Sequence, residues 1–468
     1  MKVIVIGAGP AGCSAAYILK KHGHEVRLFE AADSVGGRTK QLKRDGFSLA
    51  TGALFLMGGI YPRTSALLKE MGRYQDLVPW GGAAQLADKD NSRYPVSFVS
   101  LPSYLRIPVL SLGDKVRVVM AGIKLLLSAG VKNPFNGSEL AAFDKGENLE
   151  HWSRQQLGDR AYEYIMRPLM DFLYAVPASW LSTPFPLAII QQAHKMQLSV
   201  PPEGVGQVSE WFIEGSPGVQ MHLSSRVDRI ERADDGYAVI SKGEAYQADG
   251  LVIATEAFVA ADLLKQLIAD DAAEKLLNTP YTDYAHVAIG YEQNPWPNFP
   301  VDLVLPVGVE EVRNVGAIVL HSRRHPSSVP AGGEVAGVYF NTPPLATMSD
   351  DDIKREALAA VERSFGSAPP PSFVHLFRYD RGLTIAGPGH YGRLDSVHKA
   401  LPEGVYLAGD YFSQAGVEAA VFSGERAALL LNSFLGQRDQ RKHRSGCPPF
   451  AITVDQAQNK IAGNVIGG

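Results

Sequence analysis

Apolar positions recur along the chain in two rhythms. Lys2-Val3-Ile4-Val5-Ile6 is a short β-branched run, the pattern of a strand buried on both faces of a parallel sheet. Gly7-Ala8-Gly9-Pro10-Ala11-Gly12 interrupts it, residues 13–22 take up a helical pattern, and residues 25–29 read as a second strand. Helical periodicity returns over 113–127, 149–157 and 159–173, in a stretch broken by Pro102, Pro108, Pro134, Pro177, Pro184 and Pro186. Strand patterns follow at 285–291, 315–320 and 335–340, then a helix over 350–365. Its opening Ser349-Asp350-Asp351-Asp352 suits a helix N-terminus, and no metal site is expected there or elsewhere. Residues 404–407 read as a strand ending in Gly409-Asp410, with a helix from about Gly416.

Two apolar stretches need a decision. Residues 3–19 resemble a signal-peptide core, but the glycines and Pro10 fit strand, turn and helix better. Residues 116–131 contain Arg117 and Lys124 and form an amphipathic helix. The pattern favours a core-facing helix, with a surface resting on a bilayer as the alternative. No run of 18 or more uncharged apolar residues occurs, so no membrane span is expected.

Length and charge narrow the class. At roughly 150 residues per domain, 468 residues suggest two or three lobes. A formal net charge of −4 offers no field for nucleic acid. Two cysteines, Cys13 and Cys447, make neither a disulfide framework nor a thiolate metal cage. They point to a cytoplasmic chain, membrane-associated if the helix over 116–131 meets a bilayer.

The first loop carries chemistry. Gly7 permits a tight turn, Gly9 lets backbone approach a phosphate, and Gly12 lets the helix pack close to the strand. The helix N-terminus, with Pro10 and Ala11, then directs unpaired N–H groups at a pyrophosphate. Glu30 ends the second strand about 20 residues on, where an acid binds ribose hydroxyls. Strand, loop, helix and acid together predict dinucleotide binding. Cys13 lacks a C-x-x-C partner and reads as a packing residue.

Ala31-Ala32-Asp33-Ser34-Val35-Gly36-Gly37-Arg38-Thr39 resembles the extension that follows this loop in one flavoprotein superfamily. That superfamily comprises the flavin amine oxidases, protoporphyrinogen oxidases and phytoene-type carotenoid desaturases. The segment Gly46 to Ala53 resembles the one running beneath the flavin there, with Ala50 where an acid is common. Gly409-Asp410, then Gly416-Val417-Glu418-Ala419-Ala420 and Ser423-Gly424, resemble the C-terminal block that closes the site. The resemblance implies FAD as cofactor. It implies contacts from Ala31, Gly37, Arg38, Gly52 and Ala53, adenine against Val227, and hydroxyl or phosphate contacts at Asp410. It also implies that the helix start at Gly416, Val417 and Ala420 faces the flavin pyrimidine.

The fold expected is α/β. A discontinuous Rossmann-like FAD-binding domain would take residues 1–75, 205–280 and 375–436. An α+β substrate-binding domain would take 76–204 and 281–374, leaving 437–468 as a solvated tail. Amine oxidases usually carry a lysine at the flavin edge and an aromatic just before the C-terminal glutamate. The matching positions here hold His286 and Gly416-Val417. This favours dehydrogenation of a large, mostly apolar or natural-product substrate by hydride transfer to flavin. Amine oxidation, flavin-dependent isomerisation and monooxygenation are the alternatives. No catalytic dyad is visible. His286 is a weak catalytic candidate against an ordinary strand histidine, and Arg378, Tyr379 and His390 are candidates for a substrate carboxylate against plain interdomain contacts.

Overall fold

Short β-branched segments from distant parts of the chain pair into one parallel sheet. Its five strands run in the order Gln220–His222, Glu25–Phe29, Lys2–Ile6, Gly250–Ile253 and Val405–Leu407. The computed structural model describes residues 1–97, 100–341 and 345–443. Val3, Ile4 and Val5 are buried on both faces, as the unbroken apolar run requires. Helix Pro10–Lys21 packs on one face against the long C-terminal helix Val417–His443. The two touch closely: Ser14 Oγ donates to the Val421 carbonyl at 3.3 Å, and a Cβ on Gly424 would stand 2.1 Å from the Ala11 carbonyl oxygen.

A second sheet has seven strands, in the order Phe373–Thr384, Tyr281–Tyr291, Glu334–Phe340, Val315–Leu320, Leu303–Val307, Ala84–Asp88 and Arg93–Val96. Period-2 alternation sorts its side chains. Val287, Ile289, Ile318 and Val338 pack beneath helix Asp350–Phe365 through Ile353, Ala357, Val361 and Phe365. Tyr284, His286 and Tyr339 point to the opposite face, toward the parallel sheet. The remaining lobe is helical and includes Leu112–Leu127, Leu149–Leu157, Arg167–Tyr174 and Pro184–Gln192.

Three expectations change. Strand Phe373–Thr384 pairs with Tyr281–Tyr291, so a boundary at 375 would cut an edge strand of the seven-stranded sheet. Residues 76–204 also give two strands, Ala84–Asp88 and Arg93–Val96, to that same sheet, as an α+β lobe allows. The segment from 437 opens as the last turns of helix Val417–His443, where Arg438 donates to the Asp249 carbonyl at 2.9 Å; residues 444–468 lie outside the described residues. Finally, helix Leu112–Leu127 buries only Val118 and Ala121 and turns its main apolar stripe outward. Among the described residues no helix is long and apolar enough to cross a membrane.

Candidate functional site

Where the two sheets and the helical lobe meet lies a cavity of about 520 Å³, within the range of small-molecule sites. The first loop forms one wall. Gly7 has φ +99°, and a Cβ there would meet the Ala254 carbonyl oxygen at 2.7 Å. Gly12 lies behind the loop, where a Cβ would fall 1.8 Å from the Gly7 carbonyl oxygen. Gly9 differs: a Cβ there meets nothing within 4 Å, because it would project into the cavity. Helix Pro10–Lys21 has no side-chain cap, and its first amide bonded back to the loop is that of Cys13, on the Gly9 carbonyl at 2.9 Å. The amides of Ala11 and Gly12 are therefore left at the positive end of the helix.

Glu30 is held at the same wall. Its carboxylate accepts from the Ala8 N–H at 2.7 Å and the Ala32 N–H at 2.8 Å. Gly37 rests on Gly9, where a Cβ would be 3.3 Å from the Gly9 Cα. Arg38 donates to the Gly382 carbonyl at 2.9 Å and to Asp410 Oδ1 at 2.8 Å. Gly52 lies so near Arg38 that a Cβ would stand 2.3 Å from its carbonyl oxygen. The Gly409 N–H donates to Ser423 Oγ at 2.9 Å, tying the C-terminal loop to its helix. Glu418, fully buried, accepts from the Arg63 and Thr64 N–H groups at 2.7 and 2.8 Å. It thereby caps helix Pro62–Glu70, which has no side-chain cap of its own. Burial pushes the Glu418 carboxyl up to about 7.

The cavity is chemically divided. Arg226, Asp228, Glu256 and Asp262 join Glu30 in its charged lining. Phe29 lies beside Glu30, and Phe55, Tyr61, Phe172, Tyr174, Tyr284, Tyr339 and Tyr379 form the rest of its aromatic lining. Burial holds the Tyr61 and Tyr174 hydroxyls well above their ordinary pKa, so both stay protonated. The Tyr174 hydroxyl is buried without a hydrogen-bond partner among the described residues.

The residues named from sequence separate into two sets. Gly7, Gly9, Pro10, Ala11, Glu30, Ala31, Gly37, Arg38, Gly52, Ala53, Val227, Tyr379, Gly409, Asp410, Gly416, Val417 and Ala420 all line this cavity. Gly12 supports it from behind. His286, Arg378 and His390 stand apart. His286 is buried beside a separate void of about 10 Å³, shared with His321, Ser328 and Tyr339. Its Nε2 lies 2.9 Å from the Ala50 carbonyl oxygen, and Nδ1 has no hydrogen-bond partner among the described residues. Burial pushes its pKa down to about 4. The ring is therefore neutral at pH 7, with its proton on Nε2. Arg378 is engaged by the Leu345 and Met348 carbonyls and Asp350. His390 is buried against the Tyr411 carbonyl at 2.6 Å. Both act as structural contacts.

Of the aromatic lining, Tyr379 alone is among the residues named from sequence. Strand parity was the available signal for Tyr284, which sits two residues before His286 and on the same face. Nothing comparable marks Phe55, Phe172 or Tyr174, whose spacing is that of ordinary core residues.

Residues 10–432 match the family of flavin-containing amine oxidoreductases. The chain belongs to that family. It is an FAD-dependent oxidoreductase. Among curated flavin oxidoreductases it is similar to the 15-cis-phytoene desaturase of Glycine max, 24% identical over 94% of this chain and 82% of the relative. It is also similar to the coproporphyrinogen III oxidase of Mycobacterium bovis, 25% identical over 90% of this chain and 95% of the relative. Among solved structures, the cyclohexylamine oxidase of Brevibacterium oxydans IH-35A superposes with a TM-score of 0.71 at 19% identity, covering 93% of this chain and 99% of that one. That likeness establishes a shared mixed α/β fold.

Proposed function

We propose that this flavin oxidoreductase dehydrogenates a large, mostly apolar and uncharged substrate. The observation that carries the proposal is the aromatic lining: the rings of Phe55, Tyr61, Phe172, Tyr174, Tyr284, Tyr339 and Tyr379 gather around one cavity. Of the two arginines that line the cavity, Arg38 is already bonded to Asp410, and Arg226 adjoins Val227 at the end assigned to the adenine.

FAD fits the charged end and the loops beside it. Gly9 leaves open space where any side chain would intrude, and the unpaired helix-start amides suit a diphosphate. Glu30 has the position for ribose hydroxyls, and Val227 and Arg226 lie beside it for the adenine. Arg38, Asp410, Gly52 and Ala53 would flank the middle of the cofactor, with Gly416, Val417 and Ala420 at its ring end. This assignment makes the parallel-sheet lobe, from the segments 1–75, 205–280 and the part of 375–436 beyond Thr384, a Rossmann-like FAD domain. The seven-stranded sheet and helical lobe would hold substrate. When bound, FAD supplies the two-electron acceptor for the hydride. The protein's own residues orient the substrate between aromatic faces and exclude water.

A second reading, amine oxidation, draws on one feature. The Tyr284 and Tyr379 rings lie 6.4 Å apart and only 17° from parallel, and paired aromatic faces can hold an ammonium group. Anaerobic mixing with a linear polyene, and separately with primary and secondary amines, tests both. Bleaching of the oxidised flavin band by the polyene supports dehydrogenation. Bleaching by amines alone overturns it in favour of amine oxidation. Turnover that needs pre-reduced flavin, without net electron transfer, overturns both in favour of isomerisation.

A further inference from the structure

Among the described residues, helix Leu112–Leu127 carries the largest group of exposed large apolar side chains. Leu112 is 79% exposed, Val116 53%, Met120 60%, Ile123 46% and Leu127 83%. At 3.6 residues per turn these five fall within about 80° of arc. They form one continuous stripe opposite Val118 and Ala121, the two buried residues of the helix. Leu101, 42% exposed, lies beside Gly122 and widens the stripe. Scattered exposed apolar residues are ordinary, but a contiguous stripe marks a contact surface.

Charge indicates what covers it. Lys115 borders one side of the stripe, and Arg117 and Lys124 border the other. Across residues 101–132 there are five basic residues, Arg106, Lys115, Arg117, Lys124 and Lys132, against one acid, Asp114, in a chain of net charge −4. The Asp114 carboxylate is occupied in capping its own helix. The carboxylates of the adjoining helices, Glu150, Asp159 and Glu163, are taken up by Arg154. An apolar stripe bordered by cations on both sides suits an acyl-chain boundary roofed by anionic headgroups. The 16 residues of the helix span about 24 Å, less than the ~30 Å hydrocarbon core. A helix of this length can lie in the plane of a membrane surface but cannot span it.

We propose that helix Leu112–Leu127 docks the protein onto an anionic lipid bilayer. The geometry sets this surface one layer from the substrate end of the cavity. Gln191, at the end of helix Pro184–Gln192, donates to the Leu125 carbonyl at 2.9 Å. Phe185 of that helix packs 5.5 Å from the Tyr174 ring, which lines the cavity. A docked enzyme thus holds its aromatic cavity close to the phase in which an apolar substrate dissolves.

The test is co-sedimentation of the FAD-loaded enzyme with vesicles, which needs no substrate and so stands or falls separately from the dehydrogenase reading. Vesicles of phosphatidylglycerol and phosphatidylcholine should pellet the wild type, and pure phosphatidylcholine should pellet markedly less. The triple variant V116E/M120E/L127E should lose at least tenfold in vesicle affinity while keeping its flavin content and melting temperature. K115E/K124E, which leaves the stripe intact, should lose the preference for anionic lipid. A wild type that stays in the supernatant with both vesicle types overturns the proposal, as does a triple variant that pellets unchanged. Should the triple variant fail to fold, an unchanged lipid preference in K115E/K124E overturns it. A wild-type dimer that V116E/M120E/L127E converts to monomer, with no vesicle binding by either, assigns the stripe to a second copy and also overturns it.

Discussion

Arg38 Nη2 donates to Asp410 Oδ1 at 2.8 Å, joining positions 372 residues apart across the floor of the cavity. Arg38 also donates to the Gly382 carbonyl, so one guanidinium ties together the N-terminal loop, the edge of the seven-stranded sheet and the C-terminal loop. Lysine has one cationic centre and no planar fork to make both bonds in the same geometry. Arg38→Lys and Asp410→Ala are each expected to weaken FAD binding tenfold or more. Removing one partner of this half-buried pair should also cost about 1–2 kcal/mol of stability. Titration of apoprotein with FAD, followed by flavin fluorescence, and thermal melts check the two effects.

Gly9 and Gly12 are expected to fail differently. A methyl on Gly9 points into the open cavity, so Gly9→Ala should fold with the melting temperature of wild-type apoprotein. It should still lose at least tenfold in FAD affinity, or about 1.4 kcal/mol. A methyl on Gly12 would lie 1.8 Å from the Gly7 carbonyl oxygen, so Gly12→Ala should not accumulate as folded protein. Soluble yield, melting and flavin content of the purified variants separate the outcomes.

Glu418 should make stability depend on pH. Burial lifts its carboxyl from the ordinary 4.5 to about 7. Between those values the folded chain holds a proton that the unfolded chain has released. Stability therefore falls as pH rises across this window, by roughly 3 kcal/mol at ~1.4 kcal/mol per unit. Glu418→Gln removes that slope, at a cost of about 1 kcal/mol for the N–H group it leaves unpaired. Buried His390 and half-buried His398, each pushed down to about 4 by desolvation, act in the opposite sense as pH falls below 6.5. The quantity to measure is the difference between wild-type and variant denaturation midpoints across pH 5 to 8.

His286 is neutral through the physiological range, with its pKa near 4 and its proton committed to Ala50. His286→Gln should therefore leave the shape of the pH–rate profile unchanged between about pH 5 and 8. Loss of an inflection near neutrality in the variant would restore His286 as a proton acceptor.

The turn chemistry of the cofactor half was legible because it is local. Gly7, Gly9, Gly12 and Glu30 are set by backbone conformation and by the spacing of one strand–turn–helix unit. Asp410 and Gly416 were reachable through their resemblance to a known block. Tyr174, Phe172 and Phe55 were not, because a ring facing a cavity and a ring facing a core obey the same periodicity. Only assembly of three separate segments distinguishes them. Arg378 misled for a related reason: a lone arginine in a strand does not disclose that Leu345, Met348 and Asp350 will claim it. The helix over residues 112–127 misled most. Amphipathic spacing states that two faces differ, not which one the fold keeps, and here the small pair Val118 and Ala121 went inward.

The order of the central sheet also bears on how the protein is made. Lys2–Ile6 leaves the ribosome well before Gly250–Ile253, which pairs along one of its edges, and before Val405–Leu407, which pairs beyond that strand. Helix Pro10–Lys21 waits for the helix that begins at Val417. At 5–20 residues per second, some 400 residues take about 20–80 s to synthesise. Through that interval the strand has Glu25–Phe29 on one edge, while its other edge and the helix face that meets Val417–His443 stay uncovered. The nascent chain should therefore depend on holdase chaperones, and cofactor loading should be strictly post-translational.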